Sequence, residues 1–300
     1  MMKRFLPIAV LLLAASLVTA AWSTAALAQA QPAPPRNPNI IVDYIEPRPP
    51  IDPQDKDYNK GMANYQRYMK IHTRLKERQV FEQLSTFLAP LKLPKLLRVR
   101  TTTCGVVNAF YNPDEYTVTM CLEIIDAIET MAPQTTSPDG FTRQEVIAGA
   151  FVSVLIHELG HAVNDLFQIP VLGREEDTAD QIAGFMMLQF GKDVARTAVK
   201  GMAYVWLTFS RAGNSPYWDV HSTPGQRFYN FLCIGYGGDP ETFKDQVAQW
   251  LTPERVASCP HEYQQVRNAF IKTILPSIDQ DMMKKVQAQK WLRPDDGSWN

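Results

Sequence analysis

Apolar residues recur at helical intervals through residues 58–88 with no proline among them, which predicts a long amphipathic helix. Residues 96–103 switch to an alternating, β-branched pattern, followed by two short runs, 106–111 and 116–120. The turn formers Asn112-Pro113-Asp114 separate the last two, so three short strands are predicted, the final pair as a hairpin. Past a Pro/Ser/Gly loop at 133–140, Thr142-Arg143-Gln144-Glu145 has the form of a capping box, and no proline follows until Pro170. Val146, Ile147, Ala150, Phe151, Val154 and Leu155 give that helix a broad apolar face, so it is expected to be largely buried. Further helices fit residues 174–190, 193–211, 226–234 and 262–274. With no repeats and no internal linker, residues 58–300 are predicted to form one α+β, mostly helical domain, with a small β-sheet or hairpin ahead of the long buried helix.

The N-terminal segment reads differently. Lys3 and Arg4 precede an apolar run over residues 5–21, and Ala26-Leu27-Ala28 supplies small residues in an A-x-A arrangement. That order predicts a signal peptide over 1–28; an uncleaved anchor is the alternative, since the run approaches spanning length. Residues 29–57 are dense in proline and are expected to form an extended linker. The mature chain is then periplasmic or secreted, with no stable membrane span after cleavage. Export gives Cys104, Cys121, Cys233 and Cys259 an oxidising compartment; no C-x-x-C pair exists, and proximity favours the disulfides Cys104–Cys121 and Cys233–Cys259. A formal net charge of -1 leaves no excess of Lys and Arg to neutralise phosphates, which argues against nucleic acid as a partner. Function is expected from a local site.

The buried helix supplies the candidate. His157, Glu158 and His161 form H-E-x-x-H, two histidines one turn apart on one helix face, so both imidazoles can reach a single Zn²⁺ at about 2.0–2.1 Å. Glu158 is rotated by about 100° from His157 and can flank the metal as a proton acceptor without binding it. Without a common partner, two imidazoles and a carboxylate among so many aliphatic side chains would be expensive to bury. The extended motif with Gly at position 164 and His at 167 is excluded by Asn164 and Phe167. Downstream, Glu176 and Asp180 lie one turn apart on the next predicted helix. Glu176 is the expected third ligand, with Glu175 the alternative, and Asp180 is expected to orient a ligand histidine through its other ring nitrogen. Glu175 and Asp177 otherwise fit a solvated helix N-terminus. His221 sits in a loop entering a helix, where Asp219 can orient it and Arg227 can reach the site; an ordinary surface histidine is the plain alternative. His72 and His261 are expected to be structural or solvated.

The H-E-x-x-H and E-x-x-x-D pair resembles the gluzincins, the thermolysin-like zinc peptidases. The chain looks closer still to a family of exported bacterial proteins described as metallopeptidases, on the segments CGVVNAFYNPDEYTVTMC (104–121), HELGH, REEDTAD and HSTPGQRFYNFLC (221–233). Only fourteen residues separate His161 from Glu176, so the two helices must be joined by a short loop. The resemblance implies a zincin-like fold, a peptide or protein substrate, and an oxyanion-stabilising role for His221. It also places Asn108-Ala109 on a strand above the cleft, where the backbone and the Asn side chain could hold a peptide by strand addition; the alternative is that Asn108 merely ends a strand. Hydrolysis of another amide, in the cell wall or an acyl-amide, and a non-catalytic zinc-stabilised binding protein are the rival expectations.

Overall fold

The computed structural model describes residues 35–213 and 218–288, all within one compact unit, Pro34–Asn300. The signal-peptide expectation for 1–28 lies outside the described residues. The fold is α+β and mostly helical, with four strands and ten α-helices among the described residues. Strands β1 (Ile40–Tyr44), β2 (Leu97–Thr102), β3 (Ala109–Asn112) and β4 (Thr117–Cys121) make one sheet in the order β1-β2-β4-β3. β1, β2 and β4 are mutually parallel, and β3 closes one edge antiparallel to β4 with Ala109 opposite Met120.

Strand β1 corrects the expectation of an extended linker over 29–57. Composition over that stretch is dominated by proline, but the β-branched run Ile40-Ile41-Val42 is long enough to pair with β2. Its flanks are anchored as well. Asn37 is buried and donates to the carbonyls of Leu88 and Leu91 at 2.6 and 2.7 Å, while the Tyr44 hydroxyl donates to Glu82 at 2.8 Å.

The single long helix expected over 58–88 is instead two, α1 (Tyr58–Glu77) and α2 (Val80–Phe87), broken at Gln79, whose φ is 52°. The break redirects Val80, Phe81 and Leu84 into the core, which one straight amphipathic face would not do. Helix α3 (Leu122–Met131) begins at the last residue of β4 and buries Leu122, Ile125 and Ile128. Then follow α4 (Arg143–Leu166), α5 (Glu175–Met187), α6 (Lys192–Ala212), α7 (Pro224–Gly238), α8 (Pro240–Trp250), α9 (Pro253–Thr273) and α10 (Gln280–Gln287). Helix α9 starts well before the expected residue 262 because it carries Pro260 internally, where a proline ordinarily marks a boundary. Cys259 beside it is bonded to Cys233 on α7, and Cys104 to Cys121.

Helix α4 is the axis of the molecule. Its capping box is formed, Glu145 N donating to Thr142 Oγ1 at 3.2 Å and Thr142 N to the Glu145 carboxylate at 2.9 Å. It is long and apolar enough to cross a membrane, yet protein covers 83% of its most apolar stretch. Two close approaches fix its neighbours. A Cβ on Gly149 would collide with the Thr197 carbonyl of α6, and one on Gly160 would lie 2.9 Å from the Ala179 carbonyl of α5. The α4–α5 approach carries the site, because Gly160 lies between His157 and His161, and Ala179 lies between Glu176 and Asp180. Both neighbours are backbone and cannot rotate away. Gly149→Ala and Gly160→Ala are therefore expected to cost about 1–3 kcal/mol each, measured by urea denaturation. Unchanged midpoints would show that the helices separate freely.

Candidate metal centre

One face of α4 opens into a cleft of about 740 Å³, walled by Asn108 and β3 on one side and by the start of α5 and His221 on the other. His157 and Glu158 are buried at its floor, as the apolar setting of α4 requires. The Nε2 atoms of His157 and His161 stand 3.3 Å apart. Glu176, in the first turn of α5, brings Oε2 to 3.1 Å from the first and 3.3 Å from the second. These three donor atoms all lie within 4.8 Å of one another, a spacing from which they can share one cation. Two imidazoles and a carboxylate are the donor set suited to a tetrahedral divalent ion with one open position. Among the described residues the other such grouping, Cys104, Cys121 and Glu123, is spent on the disulfide.

Each donor is held from behind. Asp180 Oδ1 lies 2.8 Å from His157 Nδ1, a short ion-pair contact whose N–H direction is poorly aligned. Arg227 in turn grips Asp180 with two bonds, Nε to Oδ2 at 2.7 Å and Nη2 to Oδ1 at 2.6 Å. The Arg227 guanidinium is buried and stacked over the Trp206 ring, 3.8 Å from its centroid. Glu175 Oε1 meets His161 Nδ1 at 2.9 Å. His221 approaches with Nε2 2.9 Å from Glu176 Oε2, and its Nδ1 lies 2.8 Å from Asp219.

The charges of the cluster follow from these contacts. Burial by itself would lower the pKa of His157, but Asp180 and Glu176 outweigh it and push the imidazole up to about 9. Burial likewise works against the ionised Glu176, yet hydrogen bonds to His157, His161 and His221 hold its carboxyl well below the usual carboxylate range. For Glu158 burial wins and raises the carboxyl, against the pull of His157 and His161 and a backbone hydrogen bond from Tyr111 on β3. The Glu176 contact raises His221, against its partial burial.

Two expectations change here. Glu175 and Asp177 are not merely solvated helix-end charges: Glu175 faces His161, and Asp177 accepts from Ser222 Oγ at 2.6 Å and Arg174 Nε at 3.0 Å. The helix N-terminus folds back against the His221 loop, so both sides of its first turn are used. Arg174, Tyr111 and Trp206 carry no signal in the sequence because each reaches the site through a long-range contact without a spacing signature. Ser222, a candidate cap of the helix after His221 by sequence, leaves that role to Thr223 and turns to Asp177. Asn108 and Ala109 line the cleft at the free edge of the sheet. The loop before them is pinned by the Cys104–Cys121 bond and by Glu123, which accepts from Cys104 N at 3.0 Å and Gly105 N at 2.8 Å. His72 and His261 lie outside the cleft lining.

Because Arg227 is buried and Asp180 nearly so, removing the guanidinium leaves the Asp180 carboxylate with only His157 to offset its charge. Arg227→Met is expected to destabilise the metal-free protein by about 3–5 kcal/mol in urea denaturation, and a cost below about 1 kcal/mol would mean that solvent screens the pair.

No curated protein and no solved structure matches the chain. A family model described as "Putative metallopeptidase" matches residues 60–274, a span that runs from α1 to the end of α9 and contains every cleft residue named above. By that match, over most of its length, the chain belongs to this metallopeptidase family, DUF4344.

Proposed function

We propose that the protein is an exported zinc peptidase whose domain comprises 58–300 together with strand β1, preceded by a signal peptide at 1–28, with His157, His161 and Glu176 holding the metal. The observation that carries this is the convergence of two Nε2 atoms and one carboxylate oxygen in an open cleft, with a buried carboxylate, Glu158, directly beside them. A zinc ion bound there supplies Lewis acidity to a carbonyl and to water, lowering the pKa of that water to about 7. Glu158 takes a proton from the attacking water and delivers it to the leaving amine; its raised pKa suits both halves of the task. His221, whose pKa the Glu176 contact raises and whose ring Asp219 orients, donates to the developing oxyanion, a contribution of roughly 3 kcal/mol. Asp180, backed by Arg227, and Glu175 hold the two ligand imidazoles in place. The free edge of β3, with Asn108 and Ala109, receives an extended peptide as an added strand. Two disulfides support an extracytoplasmic location.

One contact favours a second reading. His221 Nε2 is as close to Glu176 as the other two imidazoles are but stands outside the group of three mutually close donors, so an inward shift of its loop would be needed to close the site with a fourth ligand, as in a non-catalytic binding protein.

Three variants separate these readings. Glu158→Gln should abolish peptide hydrolysis and keep about one equivalent of zinc; Glu176→Ala should lose most of the metal. His221→Ala should keep zinc while kcat falls by about 100-fold. Zinc content by atomic absorption beside a peptide-library cleavage assay reads all three, and loss of zinc on His221→Ala would favour the closed site.

Zinc uptake should also release protons. In the metal-free protein His157 is protonated up to about pH 9, whereas a ligand imidazole must be neutral. Affinity for zinc should therefore rise with pH up to about 9 and level off above it. Calorimetric titrations in buffers of different ionisation enthalpy measure the proton count, and a count of zero at pH 7 would contradict the charge state derived for the cluster.

A further inference from the structure

We infer that Arg174, Asp177 and Ser222 are positioning residues that tie the loop carrying His221 to the helix turn carrying Glu176, so that the two are held as one unit. This rests on the proposal that His221 acts on the reacting carbonyl.

The need for such a tie follows from where His221 sits. It is in a loop and its side chain is 39% exposed. Of its two ring partners, Glu176 is the proposed metal donor, whose carboxylate the cation would claim, and Asp219 belongs to the same loop and also accepts from the His221 backbone N–H at 2.8 Å. Asp219 therefore orients the ring within the loop but moves wherever the loop moves. Something outside the loop must place it over α4.

Three side chains close a ring across that gap. Asp177 Oδ1 accepts from Ser222 Oγ at 2.6 Å, and Asp177 Oδ2 accepts from Arg174 Nε at 3.0 Å. Arg174 Nη2 then donates to Ser222 Oγ at 2.7 Å, and Nη1 donates to the His221 carbonyl at 3.2 Å. Arg174 and Asp177 by themselves would be an ordinary partly exposed i,i+3 pair, worth little. What distinguishes them is Ser222, only 8% exposed, whose hydroxyl is both donor and acceptor in the ring. The tie also has a parallel one turn on. Asp177 and Asp180 share a face of α5 and grip Ser222 and Arg227, just before and within the first turns of α7. Thr223 between them caps α7 reciprocally with Gln226, so the segment after His221 is rigid. Residue 176, between Arg174 and Asp177, is the carboxylate that faces His157, His161 and His221 together.

The test uses zinc-loaded protein. Ser222→Ala and Asp177→Asn should keep zinc and KM and lower kcat by about 10-fold or more, while Ser222→Thr, which restores a hydroxyl, recovers most of the loss. In a His221→Ala background Ser222→Ala should have no further effect on kcat, since the tie acts through His221. A second readout needs no activity: diethyl pyrocarbonate should modify His221 several-fold faster in Ser222→Ala than in the parent, followed by mass spectrometry. Full additivity with His221→Ala, or zinc lost in step with kcat, overturns the proposal. If His221→Ala itself leaves kcat unchanged, or no peptide is cut at all, the catalytic reading of His221 fails, and the modification rate alone decides the tie. An unchanged rate then overturns it. Should Asp177→Asn not fold, Ser222→Ala, which removes one hydroxyl, carries the same test.

Discussion

Two imidazoles and a carboxylate stand on the most buried helix of the protein, and that is tolerable only because a second helix meets them with matching charge. An isolated polar group among the aliphatic side chains of α4 would cost several kcal/mol. Glu176 and Asp180 offset that cost, one on the cleft side of His157 and the other behind it. Their reach depends on how close α5 comes to α4, and that distance is set where Gly160 meets the Ala179 backbone. The glycine inside H-E-x-x-H is thus a packing device for the third donor. Asp180 would itself be a buried charge in want of a partner, and Arg227 on α7, supported by Trp206 on α6, supplies it. One close contact between two helices propagates in this way into the placement of four.

The first turn of α5 divides its work by side-chain direction. Glu175, Glu176 and Asp177 are successive acids that point to different places: His161 Nδ1, the cation-sized gap, and Ser222. Accumulated negative charge at a helix N-terminus is favoured by the macrodipole, so the cluster is inexpensive to maintain where it stands. The opposite wall of the cleft is built by the sheet. Because β3 lies at the end of the order β1-β2-β4-β3, its outer edge is unpaired by strands and faces the cleft. The Cys104–Cys121 bond and the Glu123 carboxylate hold the approach to that edge. A backbone hydrogen bond from Tyr111 reaches across to Glu158, linking the strand proposed to receive a peptide to the carboxylate proposed as base.

Much of this was legible along the chain. The capping box at Thr142, the H-E-x-x-H spacing, the hairpin around Asn112-Pro113 and the two cysteine pairings are local or nearly local signals, and the structure contains each of them. Where local signals conflicted, the weaker one was lost. Five strand residues in β1 were masked by the prolines around them, and a single left-handed residue, Gln79, split a helix whose apolar period gave no sign of a break. Helices α8 and α10 are short and bury few residues, so they offered little apolar sequence to read.

The sequence by itself determined which residues could share a cation, because helical geometry converts a spacing of four into a common face. It also determined the fold class, since apolar periodicity is a property of each segment alone. Only the tertiary structure decided which acid faces the Nε2 atoms of both histidines, which meets His161 from behind and which turns to Ser222. Glu175, Glu176 and Asp177 are chemically alike and adjacent, and their directions are assigned by how α5 is rotated against α4. It likewise decided that Arg174 and Ser222 belong to the site. Residues 174 and 222 meet because two loops are folded onto one helix end, and contacts of that range leave no periodic trace in the chain.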